Sequence, residues 1–250
     1  MARRTTARLR MPEHDPPARD DRFADYARLL EEAATTASSE AGHPPAWYDR
    51  EGTAWVIRRT TIDCAAPIAA GAEVEVLTWV VDFRRVRSRR RYEVRSGTSL
   101  LLRADTDWVY VDRVLGRPKR IPPEMMEAFV PGGAITEARD AMDVGPAPHA
   151  AFVYDFTTAA DDVDALGHVN NARYFAFLER TMAARGAGGA ALRAIRHDVE
   201  YLDEARGGDR LSCKLWVVEA GALEIATQAE IVRQVDAKRL TVASSRWVRA

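Results

Sequence analysis

The chain repeats itself. Residues 55–81, WVIRRTTIDCAAPIAAGAEVEVLTWVV, lie without a gap on residues 192–218, LRAIRHDVEYLDEARGGDRLSCKLWVV. Arg59 then falls on Arg196, Ile62 on Val199, Asp63 on Glu200, Gly71 on Gly208, Val74 on Leu211, and Trp79, Val80 and Val81 on Trp216, Val217 and Val218. Downstream, ADTDWV from Ala104 matches ASSRWV from Ala243 at nearly the same offset, and upstream YARLLEEA from Tyr26 resembles YFAFLERT from Tyr174. A duplication of this length restricts the fold to two copies of one unit with the same order of elements.

Each copy reads as one helix followed by several strands. Phe23, Tyr26, Ala27, Leu30, Ala33 and Ala34 share one helical face, and Tyr174, Phe175, Leu178 and Met182 do so in the second copy. Gly42, and Gly186, Gly188 and Gly189, follow as stops. EVEVLTWVV, RRYEVRS, SLLLRADTDWVYVD, RLSCKLWVV and LEIATQAEIV carry the alternating or continuous apolar patterns of strands. One amphipathic helix with four or more long strands predicts an α+β unit in which a curved antiparallel sheet wraps the helix, and two such units can join edge to edge. VPGGAITEARDAMDVGPAPHA separates the copies with Gly, Pro and few large apolar residues. The expected organisation is a first domain over 1–131, a linker over 132–149 and a second domain over 150–250.

Composition removes some function classes. Lys and Arg number 36 against 37 Asp and Glu, a net charge of -1, so no global field draws nucleic acid or an anionic membrane. Cys64 and Cys213 lie far apart with no zinc-type spacing and are expected to be reduced, buried thiols. The arginine-rich start has no apolar stretch of signal or membrane-spanning length, so a cytoplasmic protein is expected. GAGGAA at residues 186–191 fits G-x-G-x-x-A but follows a helix rather than a strand, which denies it the βαβ setting of dinucleotide binding. No metal or redox cofactor is implied.

The chemistry concentrates in DVDALGHVNNARYFAFLERT, residues 162–181, where a polar loop runs into the second helix. A helix N-terminus offers unpaired N–H groups and partial positive charge to a developing oxyanion. Gly167 allows close approach of a substrate, and Asp164 and His168 supply a carboxylate and an imidazole for water activation, direct attack or positioning. Val169, Asn170 and Asn171 complete the candidate oxyanion and substrate-binding set, although Asn is also a common structural cap.

This stretch resembles the signature of hot-dog-fold thioesterases. From about residue 22 onward the whole chain resembles the acyl-acyl-carrier-protein thioesterases of plants and bacteria, which are tandem double hot-dogs. TDWVYVDRVLGRPKRIPPEMMEAF resembles the segment closing the first hot-dog, and HDVEYLDEARGGDRL the second-half strand that faces the helix. The family's D-x-N-x-H-V-N-N motif, with a Glu-Cys pair on the facing strand, implies catalytic roles for Asp164, His168 and Glu204. Two positions depart: Leu166 stands for the intervening Asn and Ala205 for the Cys, so a cysteine nucleophile there is excluded. Glu179 stands at the family's recurrent helix Glu. The first half reads EHDPPARDDRFADY at the corresponding place, where His14 and Asp15 are at most remnants of a site.

The resemblance implies a thioesterase releasing a fatty or polyketide-type acid from acyl carrier protein or coenzyme A, with one site in the second half and the first half as scaffold and acyl pocket. A hot-dog dehydratase acting on a β-hydroxyacyl thioester is the alternative of different chemistry, and a non-catalytic acyl-thioester binder the alternative without any. RRVRSRRR, residues 84–91, reads either as a solvated edge strand or as a docking surface for a carrier protein or a phosphate, through Arg84, Arg85, Arg87, Arg89, Arg90 and Arg91. A monomer or a homodimer is compatible with this.

Overall fold

The computed structural model describes residues 1–13, 22–132, 136, 137, 139–164, 167–186 and 192–249. His14, Asp15, Leu166, Gly188 and Gly189 lie outside the described residues. The chain divides into two compact units, residues 1–16 with 26–140 and residues 17–25 with 141–250.

The first unit contains β1 (Arg4–Arg10), α1 (Arg22–Glu40), α2 (Pro45–Glu51), β2 (Thr53–Cys64), β3 (Glu73–Phe83), β4 (Arg87–Ser96), β5 (Ser99–Asp112) and α3 (Pro123–Phe129), the first turn of α1 counting with the second unit. Its strands pair antiparallel in the order β1-β3-β4-β5-β2. Phe23, Tyr26, Ala27, Leu30 and Ala33 are buried along α1 and Ala34 is half-buried, as the helical spacing predicts. Gly42, at φ 88°, closes the helix by letting the His43 N–H reach the Ser38 carbonyl at 2.9 Å. β1 escaped the sequence reading because arginines at 4, 8 and 10 mask an alternation whose inward side chains, Thr5 and Ala7, are small.

The second unit contains β6 (Phe152–Thr157), α4 (Arg173–Arg185), β7 (Leu192–Tyr201), β8 (Arg210–Ala220), β9 (Glu224–Arg233) and β10 (Lys238–Arg249). Its order, β6-β8-β9-β10-β7, reproduces that of the first unit element for element. Registers repeat as well: Ile62 faces Ala104 as Val199 faces Ala243, and Trp79 faces Arg91 as Trp216 faces Gln228. Even the bulges recur, since the ladder skips Arg58 in β2 and Ile195 in β7, and Val81 in β3 and Val218 in β8. An extra residue raises local twist, so these positions curve each sheet. This is the hot-dog fold, twice.

Tyr174, Phe175, Phe177, Leu178 and Met182 are buried along α4, which packs on β6, β7 and β8. Burial of each such side chain contributes about 2 kcal/mol, which holds the start of α4 rigidly against the sheet. The interdomain segment has no helix or strand over residues 139–148 but is pinned to each unit. Arg59 donates to the Asp140 carbonyl at 2.7 Å in the first, and Gln228 to the Asp143 carbonyl at 3.1 Å in the second.

Both cysteines are buried free thiols, and burial pushes Cys213 up to about 12. No helix among the described residues is long and apolar enough to cross a membrane.

Candidate active site

Behind β6 the chain makes a single 3-10 turn, Ala160–Asp162, anchored by an acid that solvent scarcely reaches. Asp162 accepts the Ala159 N–H at 2.8 Å and pairs with Arg173 at 2.7 Å, the two side chains being 2% and 5% exposed. This pair ties the loop to the first residue of α4, so the first acid of DVDALGH is structural.

The next residues form a tight hairpin. Val163 bridges Val169, the Asp164 N–H donates to the His168 carbonyl at 2.8 Å, and the Gly167 N–H reaches the Asp164 carbonyl at 3.0 Å. Gly167 sits at φ 79°, where a side chain is strained. The Asp164 carboxylate accepts the backbone N–H of His168 at 3.2 Å, a side-chain bond back to its own hairpin.

The hairpin is held against the loop between β7 and β8. Val169 donates to the Ala205 carbonyl at 2.8 Å and His168 bridges Arg206, while the Ala205 N–H donates to the Tyr174 hydroxyl at 3.2 Å. Thr158 donates to the Arg206 carbonyl at 2.7 Å and Asp209 accepts the Arg206 N–H at 2.9 Å. With both backbones fixed, Nε2 of His168 lies 3.3 Å from Oε1 of Glu204, the side chains being 32% and 50% exposed. Arg206 approaches the same carboxylate oxygen at 3.4 Å. Nearby, the ammonium of Lys238 holds the Asp203 carboxyl below its usual range, and burial pushes the Tyr174 phenol up to about 12, which keeps it neutral.

The residues singled out in the sequence thus divide. His168 and Glu204 come together side chain to side chain; Asp164 is exposed and meets His168 through the backbone. The expected oxyanion amides need correction, because the compact hairpin absorbs most of them. Gly167 donates to Asp164, Val169 to Ala205 and Asn170 to the Asp162 carbonyl. The Asn170 side chain closes the turn ahead of α4, accepting the Ala172 N–H at 2.8 Å. The Asn171 carbonyl accepts the Tyr201 hydroxyl at 3.0 Å, while its own N–H has no acceptor among the described residues. Glu179 lies half-buried on α4.

Tyr174 was not recognised from sequence as part of the site. Its signal was the repeat: Tyr26 of α1 makes the same contact, accepting the Ile68 N–H at 3.1 Å. Ile68 and Ala205 are equivalent positions, which makes Pro67 the counterpart of Glu204. The first unit keeps the tyrosine clamp and lacks the acid.

The arginine run needs a second correction. β4 lies between β3 and β5 rather than at an edge, and its alternation sends neighbouring arginines to opposite faces. Arg89 pairs with Asp107 at 2.7 Å and Arg91 with Asp105 at 2.8 Å. Arg90 is buried, 3.4 Å from the Thr78 hydroxyl and 5.2 Å from the centre of the Phe129 ring. Only Arg84, Arg85 and Arg87 are exposed.

Residues 16–129 match the acyl-ACP thioesterase N-terminal domain and residues 166–239 the thioesterase superfamily. Among solved structures, a Lactobacillus plantarum protein assigned provisionally as an oleoyl thioesterase superposes with a TM-score of 0.85 at 18% identity, covering 99% of this chain and 97% of its own. An acyl-ACP thioesterase of Bacteroides thetaiotaomicron VPI-5482 gives 0.77 at 17% identity, covering 98% and 97%. The 12:0-ACP thioesterase of Umbellularia californica gives 0.74 at 18% identity, covering 98% of each chain. No curated protein sequence matches the chain.

Proposed function

We infer the workings of the site from one premise: the chain belongs to the acyl-acyl-carrier-protein thioesterase family and is a thioester hydrolase. The reading rests on one observation, the 3.3 Å approach of His168 Nε2 to Glu204 Oε1 from two backbone segments locked by Val169 and Ala205. Glu204 accepts the Nε2–H and thereby fixes the tautomer that leaves Nδ1 as a base. Nδ1 takes a proton from water as the water oxygen bonds to the thioester carbon. The tetrahedral oxyanion is met by the Asn171 N–H at the start of α4, where the helix dipole adds positive potential. Collapse breaks the C–S bond, and the proton on Nδ1 passes to the departing sulfur. Asp164 closes the hairpin and presents its carboxylate on the exposed side of the turn, beside the attacking water.

Ala205 supports a route without cysteine, since the buried methyl at that position offers no nucleophile. The first unit, which lacks a Glu204 equivalent, serves as scaffold and acyl pocket. The substrate is an acyl thioester of acyl carrier protein or coenzyme A, and the product a fatty or polyketide-type acid.

Thiol release from acyl-coenzyme A and acyl-carrier-protein thioesters tests the reading. Hydrolysis that falls at least a hundredfold in a folded His168→Gln variant supports it; an intact, dehydrated thioester as product, or tight binding without turnover, rejects it.

A further inference from the structure

Arg233 ends β9 on a face where an apolar side chain would be expected. The alternation of the strand places it with Ile231, and the register sets it opposite Leu211, both of which are fully buried. Its side chain is only 18% exposed, so the charge has to be met by the protein. Nε and one terminal nitrogen donate to the two oxygens of Asp236 at 3.2 and 2.7 Å, and the other terminal nitrogen donates to the Glu204 carbonyl at 3.1 Å. The amide end of the same residue is held as well. The Glu204 N–H donates to the Asp203 carboxylate at 2.8 Å, and that carboxylate pairs with the Lys238 ammonium. Residues 233–238, the turn from β9 into β10, therefore supply the charges that grip Glu204 from both sides.

The first unit shows what the fold needs without them. Its loop between β2 and β3 is anchored as the loop between β7 and β8 is: the Ala65 and Ala66 N–H groups share the Leu101 carbonyl, as those of Leu202 and Asp203 share the Leu240 carbonyl. Tyr26 accepts the Ile68 N–H as Tyr174 accepts that of Ala205. Yet Asp203 and Glu204 correspond to Ala66 and Pro67, Arg233 and Lys238 to Ser96 and Ser99, and the turn of residues 234–237 is cut to Gly97 and Thr98. The ion pairs thus accompany the acid and not the loop. A guanidinium fork donates in several fixed directions at once, so it can tie a carbonyl to a carboxylate rigidly. Given the reading of Glu204 as the partner of His168, on which this step rests, we propose that Arg233 is a positioning residue: it holds the Glu204 peptide so that its carboxylate meets His168.

The test is a double-mutant cycle on thioester hydrolysis with Arg233→Ala, Glu204→Ala and both. Arg233→Ala alone is expected to lower kcat about tenfold with KM unchanged, because a small displacement of Glu204 acts on the chemical step. Added to Glu204→Ala, it should cost less than about twofold more, since the group it positions is gone. Losses that multiply in the double variant, or full activity of Arg233→Ala, overturn the proposal. Arg233→Lys carries the test should the alanine variant fail to fold: it keeps a charge beside Asp236 and loses the fork, so a similar fall in kcat supports the proposal and full activity overturns it. If the unmodified protein hydrolyses no thioester, or Glu204→Ala is fully active, the reading of the site fails separately. Crystal structures of the unmodified and Arg233 variant proteins then decide: a Glu204 carboxylate drawn away from His168 by about 1 Å or more supports the proposal, and an unmoved one overturns it.

Discussion

Nε2 of His168 and Oε1 of Glu204 meet at 3.3 Å, though one residue belongs to the hairpin before α4 and the other to the loop after β7. Their approach is not set by either side chain alone. The Val169 N–H on the Ala205 carbonyl at 2.8 Å joins the two segments, and the Tyr174 hydroxyl under the Ala205 N–H fixes their height above the helix.

Glu204→Gln keeps the shape and removes the carboxylate charge beside the His168 imidazole. Steady-state thiol release is expected to fall ten- to a hundredfold in kcat/KM, and His168→Gln to fall further, by about 10²–10⁴. Glu204 is half exposed, so its substitution leaves the melting temperature nearly unchanged. A Glu204→Gln enzyme of full activity would remove Glu204 from the mechanism.

Asp162 and Asp164 are two residues apart and should behave oppositely. Asp162→Ala takes a buried carboxylate away from the Arg173 guanidinium, and urea denaturation should show a loss of about 3–5 kcal/mol. Asp164→Asn retains an acceptor for the His168 N–H, so it should cost less than about 1 kcal/mol while lowering turnover. Equal stability losses at the two sites would contradict this division.

His197 is enclosed by the rings of Phe23, Phe175 and Trp247, with Nδ1 on the Ser245 hydroxyl at 2.7 Å, and burial lowers its pKa from 6.5 to about 3. Below about pH 6.5 the unfolded chain binds a proton there that the folded chain refuses. Its contribution is therefore full above that pH and is lost as pH falls towards 3, by up to a few kcal/mol. Urea midpoints at pH 7.5 and 4.5 should converge in His197→Leu relative to the unmodified protein. An identical acid-side drop in both would show that His197 is not the sensor.

Arg90 is a buried cation whose described partners are a hydroxyl at 3.4 Å and an aromatic face, and burial lowers its pKa. Arg90→Met keeps much of the volume and removes the desolvation cost. Thermal unfolding should find the variant as stable as the unmodified protein or up to about 2 kcal/mol more so. A loss above 2 kcal/mol would mean that the guanidinium is better compensated than these contacts imply.

Much of the fold was legible because duplication writes the same constraint twice. The ungapped match of the copies carried the strand registers and both pairs of bulges, since each copy must bury the same alternating face. β1 and β6 were harder to see. In β1 the inward residues are small and the outward arginines long, so the contrast that marks a half-buried strand is weak.

At the site, a turn-forming Asp-x-x-Gly followed by His before a helix singled out Asp164 and His168, while Glu204 was named only through the family resemblance. Neither revealed which backbone amides remain open. In this hairpin the N–H groups of Gly167, Val169 and Asn170 are used by carbonyls brought in from the turn itself, the facing loop and the 3-10 turn, leaving Asn171. Likewise, six arginines in eight positions read as one basic face, whereas the pleat of an interior strand sends Arg90 inward and Arg89 and Arg91 outward to waiting carboxylates.

The sequence by itself determined the repeated helix-and-sheet unit and the polar groups gathered ahead of its second helix. Those follow from local periodicity and covalent composition, which a linear chain already contains. Only the tertiary structure decided which acid is buried, which amide is open and which cation is unpaired, because burial and pairing depend on segments that meet only after the sheets curve around their helices.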